Sequence, residues 1–336
     1  MFLHRLGKVR APEFPAGLVW LNGEKKSLKK LAGKPVLVDF WTYSCVNCLR
    51  TLPHVQQMYE RYHDLGLEII GVHTPEFAFE HDEENVKQAI ADLGLSYPIV
   101  LDNNYDVWHL YANNSWPHCF LVGPDGVIIY DHVGEGNYAE TEKAVQEALL
   151  AAGVTAPLPA INDDEIGDGG VCYRTTPELY LGYLRGKYGN AEDFLPDTPE
   201  AFTDHGITQE DRPYLHGHWQ ICGEYAMHAK ELAVASEYLA LKYRAFGVNL
   251  VIAPSDSPIA GGEFSSVVVE LDGLPLPDDM LGEDVKRAKD GSSVVKAKEA
   301  RMYNLVKASV YHQGTLRILT KDEGVKFYAF TFNGCN

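Results

Sequence analysis

Pro35-Val36-Leu37-Val38-Asp39-Phe40-Trp41-Thr42-Tyr43-Ser44-Cys45-Val46-Asn47-Cys48 is an apolar run that ends in two cysteines separated by two residues. Residues 35 to 41 have the pattern of a strand covered on both faces. From Cys45 to about Asp64, Leu49, Leu52, Val55, Met58, Tyr59 and Tyr62 recur at spacings of three and four, so an amphipathic helix is expected to start at the cysteines. Pro53 lies inside that helix and should bend it. Two thiols placed where a buried strand gives way to a helix can close a small disulfide and reopen it by thiol exchange.

Working outward, an arm with Pro12 and Pro15 leads to a short strand at residues 17 to 21 and a turn at Asn22-Gly23. Strands are expected at 67 to 72 and 98 to 101, and helices at 82 to 93, at 104 to 111 and from about 138 to 151. Residues 118 to 122 and 127 to 131 flank Gly123-Pro124-Asp125-Gly126 as a hairpin. This order gives a three-layer α/β/α unit with parallel strands at the sheet centre. The first helix then emerges at the carboxyl edge of the sheet, where open α/β sheets place their chemistry.

Residues 153 to 175, with Pro157, Pro159, Asp163-Asp164-Glu165 and Gly167, Gly169 and Gly170, have the composition of a linker. Beyond it the periodicity changes. Short apolar or alternating pieces at 231 to 243, 248 to 253, 266 to 271, 315 to 320 and 325 to 332, punctuated by Asp272-Gly273 and Glu323-Gly324, predict an all-β, jelly-roll-like antiparallel sandwich over residues 176 to 336.

At 336 residues, two domains are expected, each able to bury a core. A formal net charge of -18 without a basic stripe argues against nucleic acid and anionic membranes as partners. No run reaches membrane-spanning length, and the amino terminus lacks the apolar core of a signal peptide, so taken literally the protein is expected to be soluble and cytoplasmic. Six cysteines are too few and scattered for a disulfide scaffold, and Cys119, Cys172, Cys222 and Cys335 are expected as lone, small buried side chains.

The chemistry follows from placement. A helix amino terminus has unpaired N–H groups and partial positive charge, which stabilise a thiolate, so Cys45 is the expected exposed nucleophile. Cys48, one turn on, resolves the mixed disulfide. Asp39 sits in an apolar strand where a carboxylate is costly, and as a proton acceptor for Cys48 it would have its pKa raised by burial. Trp41 either fills the core or walls the disulfide. Pro117, after Trp116 and opening a strand, is expected as a cis-proline facing the disulfide rather than an ordinary strand-start proline. His73, Glu76, Glu80 and His81 lie near the same edge and are expected to be solvated loop residues. A zinc site at Cys45 and Cys48 would need two more ligands, and the histidines follow no metal spacing.

Val38-Asp39-Phe40-Trp41-Thr42-Tyr43-Ser44-Cys45-Val46-Asn47-Cys48 resembles the active-site segment of the thioredoxin superfamily. Asp39, Trp41, Cys45, Cys48, Pro53 and Pro117 fall where that superfamily keeps its buried acid, tryptophan, two thiols, helix-bending proline and cis-proline. Residues 98 to 134 look like the TlpA-like thiol-disulfide oxidoreductases with their extra helical insertion. Phe40 to Cys45 and Gly71 to Glu80 are similar to the carboxyl-terminal region of DipZ-type proteins. The resemblance covers residues 12 to 152 and implies a thioredoxin-like domain. In those relatives a sandwich resembling carbohydrate-binding modules follows, and residues 176 to 336 are similar in pattern. DipZ-type chains begin with a membrane electron-transfer domain, which is not expected from this sequence, so the electron source is open and an extracytoplasmic placement is the alternative. Many TlpA-like proteins also hold an acid three positions after the second cysteine, where this chain has Thr51.

The expected function is a thiol-disulfide oxidoreductase acting on protein substrates with a redox partner. It would need no cofactor or metal beyond the Cys45–Cys48 disulfide. A thiol peroxidase using Cys45 is the alternative suggested by Thr42-Tyr43-Ser44-Cys45, although Val38 stands where peroxiredoxins usually carry a proline. A further alternative makes the sandwich a glycan- or protein-binding module, with aromatics such as Tyr214 and Trp219 stacking on sugars.

Overall fold

The computed structural model describes residues 9–162, 172–230, 232–256 and 264–335. It divides into two compact units, residues 1–168 and 169–336. In the first, a six-stranded sheet is built from β1 (Trp20–Leu21), β2 (Val36–Trp41), β3 (Glu68–His73), β4 (Ile99–Leu101), β5 (His118–Val122) and β6 (Ile128–Val133), in the order β1-β4-β3-β2-β5-β6. The pairs β2–β3 and β3–β4 are parallel, while β1, β5 and β6 join antiparallel. Helices α1 (Val46–Tyr62), α2 (Glu83–Asp92), α3 (Asp106–Leu110) and α4 (Tyr138–Ala151) complete the expected thioredoxin-like unit, their ends all within two residues of the bounds set by periodicity; α1 closes two residues before Asp64 and its first residue follows Cys45. Of the strand expected at 17 to 21, only Trp20 and Leu21 pair.

The side-chain alternation of β2 sets the layers. Leu37 and Trp41 point to the face covered by α1, α2 and α4, where Cys48, Leu52, Val55, Val86 and Leu149 pack. Val36, Val38 and Phe40 point to the other face, against Val107 and Trp108 of α3. Asp39 shares the parity of Leu37 and Trp41 and is therefore directed to the α1 face. Gly71, beside Asp39 in the parallel ladder, leaves room for large neighbours: a Cβ there would come within 3.0 Å of the Trp41 indole nitrogen and of Tyr97.

Residues 153–162, whose composition reads as linker, lie on the first unit. Gln146 Nε2 donates to the Pro159 carbonyl at 2.8 Å, the Asn162 N–H donates to Glu142 at 2.9 Å, and Leu158 packs on the α1 side core. The middle of the expected linker, residues 163–171, lies outside the described residues.

The second unit is a large all-β structure, eleven strands among the described residues joined in antiparallel pairs. Two long strands form its spine, Glu237–Ala253 and Arg301–Thr320. The former pairs with Tyr214–Ile221 through its first residues and with Lys326–Asn333 from Gly247 onward. Its core includes Trp219, Leu239, Leu250, Tyr303 and Phe327, each buried.

The structure corrects one expectation about the cysteines. Cys172 and Cys335 form a disulfide, with Cα atoms 4.3 Å apart across 163 residues of sequence. Tyr173 N–H also donates to the Gly334 carbonyl at 2.8 Å, so the strap is closed by backbone as well as sulfur. Cys119 and Cys222 are free, as expected. Tyr214 and Trp219 are both buried, which removes them as sugar-stacking faces.

Candidate active site

β2 ends at Trp41, and the chain turns through Thr42, Tyr43 and Ser44 into α1. Cys45 is the helix N-cap, and its Sγ accepts the Cys48 N–H at 3.4 Å. The sulfur thus stands at the end of the helix where unpaired N–H groups and the positive end of the dipole favour an anion. Cys45 is half-buried and Cys48 has no exposed surface. No disulfide joins them in this structure. Burial first, then the neighbouring Cys45 thiol, push the Cys48 thiol well above its ordinary pKa, and the Asp39 carboxylate adds to the shift. Cys48 therefore keeps its proton until a base removes it.

Asp39 is the base at hand. It is 1 % exposed, and neither carboxylate oxygen has a hydrogen-bond partner among the described residues. Burial alone raises its pKa to about 7. It borders a cavity of about 20 Å³ shared with Thr51, Pro117, Cys119, His132 and Tyr138. That is room for about one water. Pro117 follows Trp116 through a cis peptide, as expected. Thr51, in the position where an acid was absent from the sequence, donates to the Asn47 carbonyl at 2.9 Å. Trp41 is wholly buried in the cluster that also contains Cys48, so it belongs to the core.

Two residues expected to be solvated are not. His73, the last residue of β3, and Glu80 have no exposed surface; of the four residues His73, Glu76, Glu80 and His81, only His81 is exposed. Glu80 accepts the Thr42 hydroxyl at 2.5 Å and the Ser44 N–H at 3.1 Å, and with its other oxygen the N–H groups of Glu76 at 2.5 Å and Phe77 at 3.0 Å. Burial raises its pKa to about 7 against the lowering effect of these donors. His73 lies 5.0 Å from the Trp41 ring edge-on and 5.6 Å from Tyr43 in a stack, and burial lowers its pKa to about 3, so it is neutral. Its Nε2 lies 3.4 Å from the Thr42 hydroxyl. The available signal was Phe77 and Phe79, apolar residues that draw the segment inward and carry Glu80 with them.

Comparison with known proteins gives two family matches, Redoxin over residues 8–149 and Thioredoxin like C-terminal domain over residues 176–333. The Mycobacterium tuberculosis protein DipZ is 45% identical over 175 residues, which are 51% of this chain and 25% of that protein. The chain thus spans about a quarter of the DipZ relatives it matches. The thiol-disulfide oxidoreductase ResA of Halalkalibacterium halodurans is 35% identical over 129 residues, 38% of this chain and 68% of that one. A solution structure of a thiol:disulfide interchange protein from Bacteroides sp. is 32% identical, covering 42% of this chain and 91% of that one with a TM-score of 0.36.

Proposed function

The chain belongs to the thioredoxin superfamily, among its TlpA-like thiol-disulfide oxidoreductases, and from that premise we propose that it exchanges the Cys45–Cys48 dithiol with disulfides in protein substrates. The Cys45 thiolate attacks a substrate disulfide, forming a Cys45–substrate bond and releasing one substrate thiolate. Asp39 then takes the Cys48 proton, and Cys48 attacks Cys45 and releases the second substrate thiolate. The products are a reduced substrate and an oxidised Cys45–Cys48 pair, which a second dithiol must reduce for turnover. Run in reverse, the same steps oxidise a dithiol. No cofactor enters either direction.

The observation that carries this reading is the pairing of a half-buried sulfur at a helix amino terminus with a sealed thiol on the same face as a carboxyl group that has no hydrogen-bond partner among the described residues. Replacing Cys45 with Ser should abolish reduction of insulin disulfides, and activity retained in that variant would eliminate the mechanism. The reduction potential measured against glutathione fixes the physiological direction.

The Cys172–Cys335 disulfide supports placement of the protein in an oxidising, extracytoplasmic compartment, because such bonds are kept reduced in most cytosols. Alkylation of the native protein from its own cell followed by peptide mapping tests this; free thiols at both positions would place it in the cytoplasm. The second unit we read as a jelly-roll-like module that holds a glycan or protein partner. With Tyr214 and Trp219 buried, other groups would have to make that contact, and binding of polysaccharides by the whole protein is the test.

A further inference from the structure

Glu80 receives four hydrogen bonds from two separate parts of the chain, although it is a buried carboxylate outside the Cys45, Cys48 and Asp39 set. We propose that Glu80 is a positioning residue for the nucleophile: by holding Thr42 and Ser44 it fixes how the chain enters Cys45, and so sets the rate and potential of disulfide exchange. The proposal rests on the oxidoreductase reading above and adds a residue to it.

The two carboxylate oxygens do different work. One takes the N–H groups of Glu76 and Phe77 and caps the short 3-10 turn Ala78–His81. A turn cap needs nothing more, and it does not require an acid sealed from water. The other oxygen takes the Thr42 hydroxyl and the Ser44 N–H, which lie 38 and 36 residues away in sequence. Ser44 directly precedes the N-cap, and its own hydroxyl has no partner among the described residues, so its N–H bond to Glu80 is the polar tie that orients this peptide. With its proton given to Glu80, the Thr42 oxygen presents its lone pairs to His73 Nε2 at 3.4 Å, and the neutral imidazole can donate there. Thr42, His73 and Glu80 are all without exposed surface, so water cannot replace a lost partner. A displaced Ser44 peptide would turn Cys45 away from the N–H of Cys48, which its sulfur now accepts.

The chemistry of a glutamine side chain separates the two duties. Gln at position 80 has one acceptor oxygen, and when that oxygen faces the two turn N–H groups its amide NH₂ faces the Ser44 N–H. The turn remains capped while the loop before Cys45 loses its acceptor. Glu80→Gln is therefore expected to slow Cys45 alkylation by iodoacetamide and single-turnover insulin reduction about tenfold. Its equilibrium with glutathione should move by about tenfold, or about 30 mV. Thr42→Val, which keeps the volume but removes the hydroxyl, should lose rate in the same assays, and Thr42→Ser should restore it. In the Glu80→Gln background Thr42→Val should add no further loss. Wild-type rates and potential in both Glu80→Gln and Thr42→Val would overturn the proposal, even with a lowered melting temperature, because that combination is what a merely structural carboxylate would give. If Glu80→Gln does not fold, the Thr42→Val and Thr42→Ser pair decides. Absence of Cys45-dependent disulfide reduction in the wild-type protein would instead defeat the oxidoreductase reading itself.

Discussion

Asp39 links the chemistry of the site to the stability of its unit. Its pKa is raised from the usual 3.8 to about 7 by burial, so the folded protein holds a proton there that the unfolded chain gives up. Below about 3.8 both states carry the neutral acid, and its burial costs little. As pH rises through the window from 3.8 to about 7, the unfolded chain gains the ionised form first and stability falls, by on the order of 4 kcal/mol at the upper limit. Asp39→Asn should therefore be more stable than wild type at pH 8, with the gap closing toward pH 4, as read by urea denaturation. Glu80 shifts in the same direction, so the difference between wild type and Asp39→Asn isolates Asp39. The same variant should slow resolution by Cys48 about 10²-fold or more, with the mixed disulfide on Cys45 accumulating in rapid-quench samples. Asp39 was legible in the sequence because a carboxylate inside an apolar run is anomalous. Glu80 and His73 were not, because acids and histidines past a strand end are ordinarily solvated. Only the fold brings Thr42, Ser44 and two backbone N–H groups to Glu80 and shields His73 between Trp41 and Tyr43.

The regular elements of the first unit follow local rules, and so they were largely visible in sequence. The face of α1 that carries Cys48, Leu52, Val55, Met58 and Tyr62 is the face that periodicity marked, with Leu49 and Tyr59 at its margin. The start of α2 shows how such an element is fixed. Asp82 is its N-cap and accepts the N–H groups of Glu84 at 2.9 Å and Asn85 at 3.0 Å. Asp82→Ala should cost about 1 kcal/mol of unfolding free energy, measured by denaturant titration, with little effect on Cys45 reactivity. The β unit was less legible. Residues 237 to 253 read as two pieces because Gly247 interrupts the apolar pattern, yet they form one strand with register shifts around that glycine. A Cβ at Gly247 would lie 2.8 Å from the Asn333 side chain, so the interruption marks close packing against the neighbouring strand rather than a strand end. Periodicity cannot tell those two cases apart, since both appear as a gap in the pattern.

At the scale of the whole molecule, a boundary between an α/β unit and a β unit was visible from the change in periodicity, and the family matches fall on either side of it. The Cys172–Cys335 bond was not visible, because cysteines 163 residues apart carry no spacing signal; only the return of the last strand beside residue 173 brings them together. Closing a loop of that length restricts the unfolded chain by about 5 kcal/mol in the chain-entropy picture. Cys335→Ser should accordingly lower the melting temperature of the β unit while leaving insulin reduction by the Cys45–Cys48 pair intact; calorimetry and the activity assay together check it. The bond also makes the β unit a covalent ring in all but its peptide connectivity. The exposed turn at Asp272-Gly273 lies within that ring. A protease that cuts there releases no fragment, and the two pieces part on a gel only after a reductant has opened the sulfur clasp.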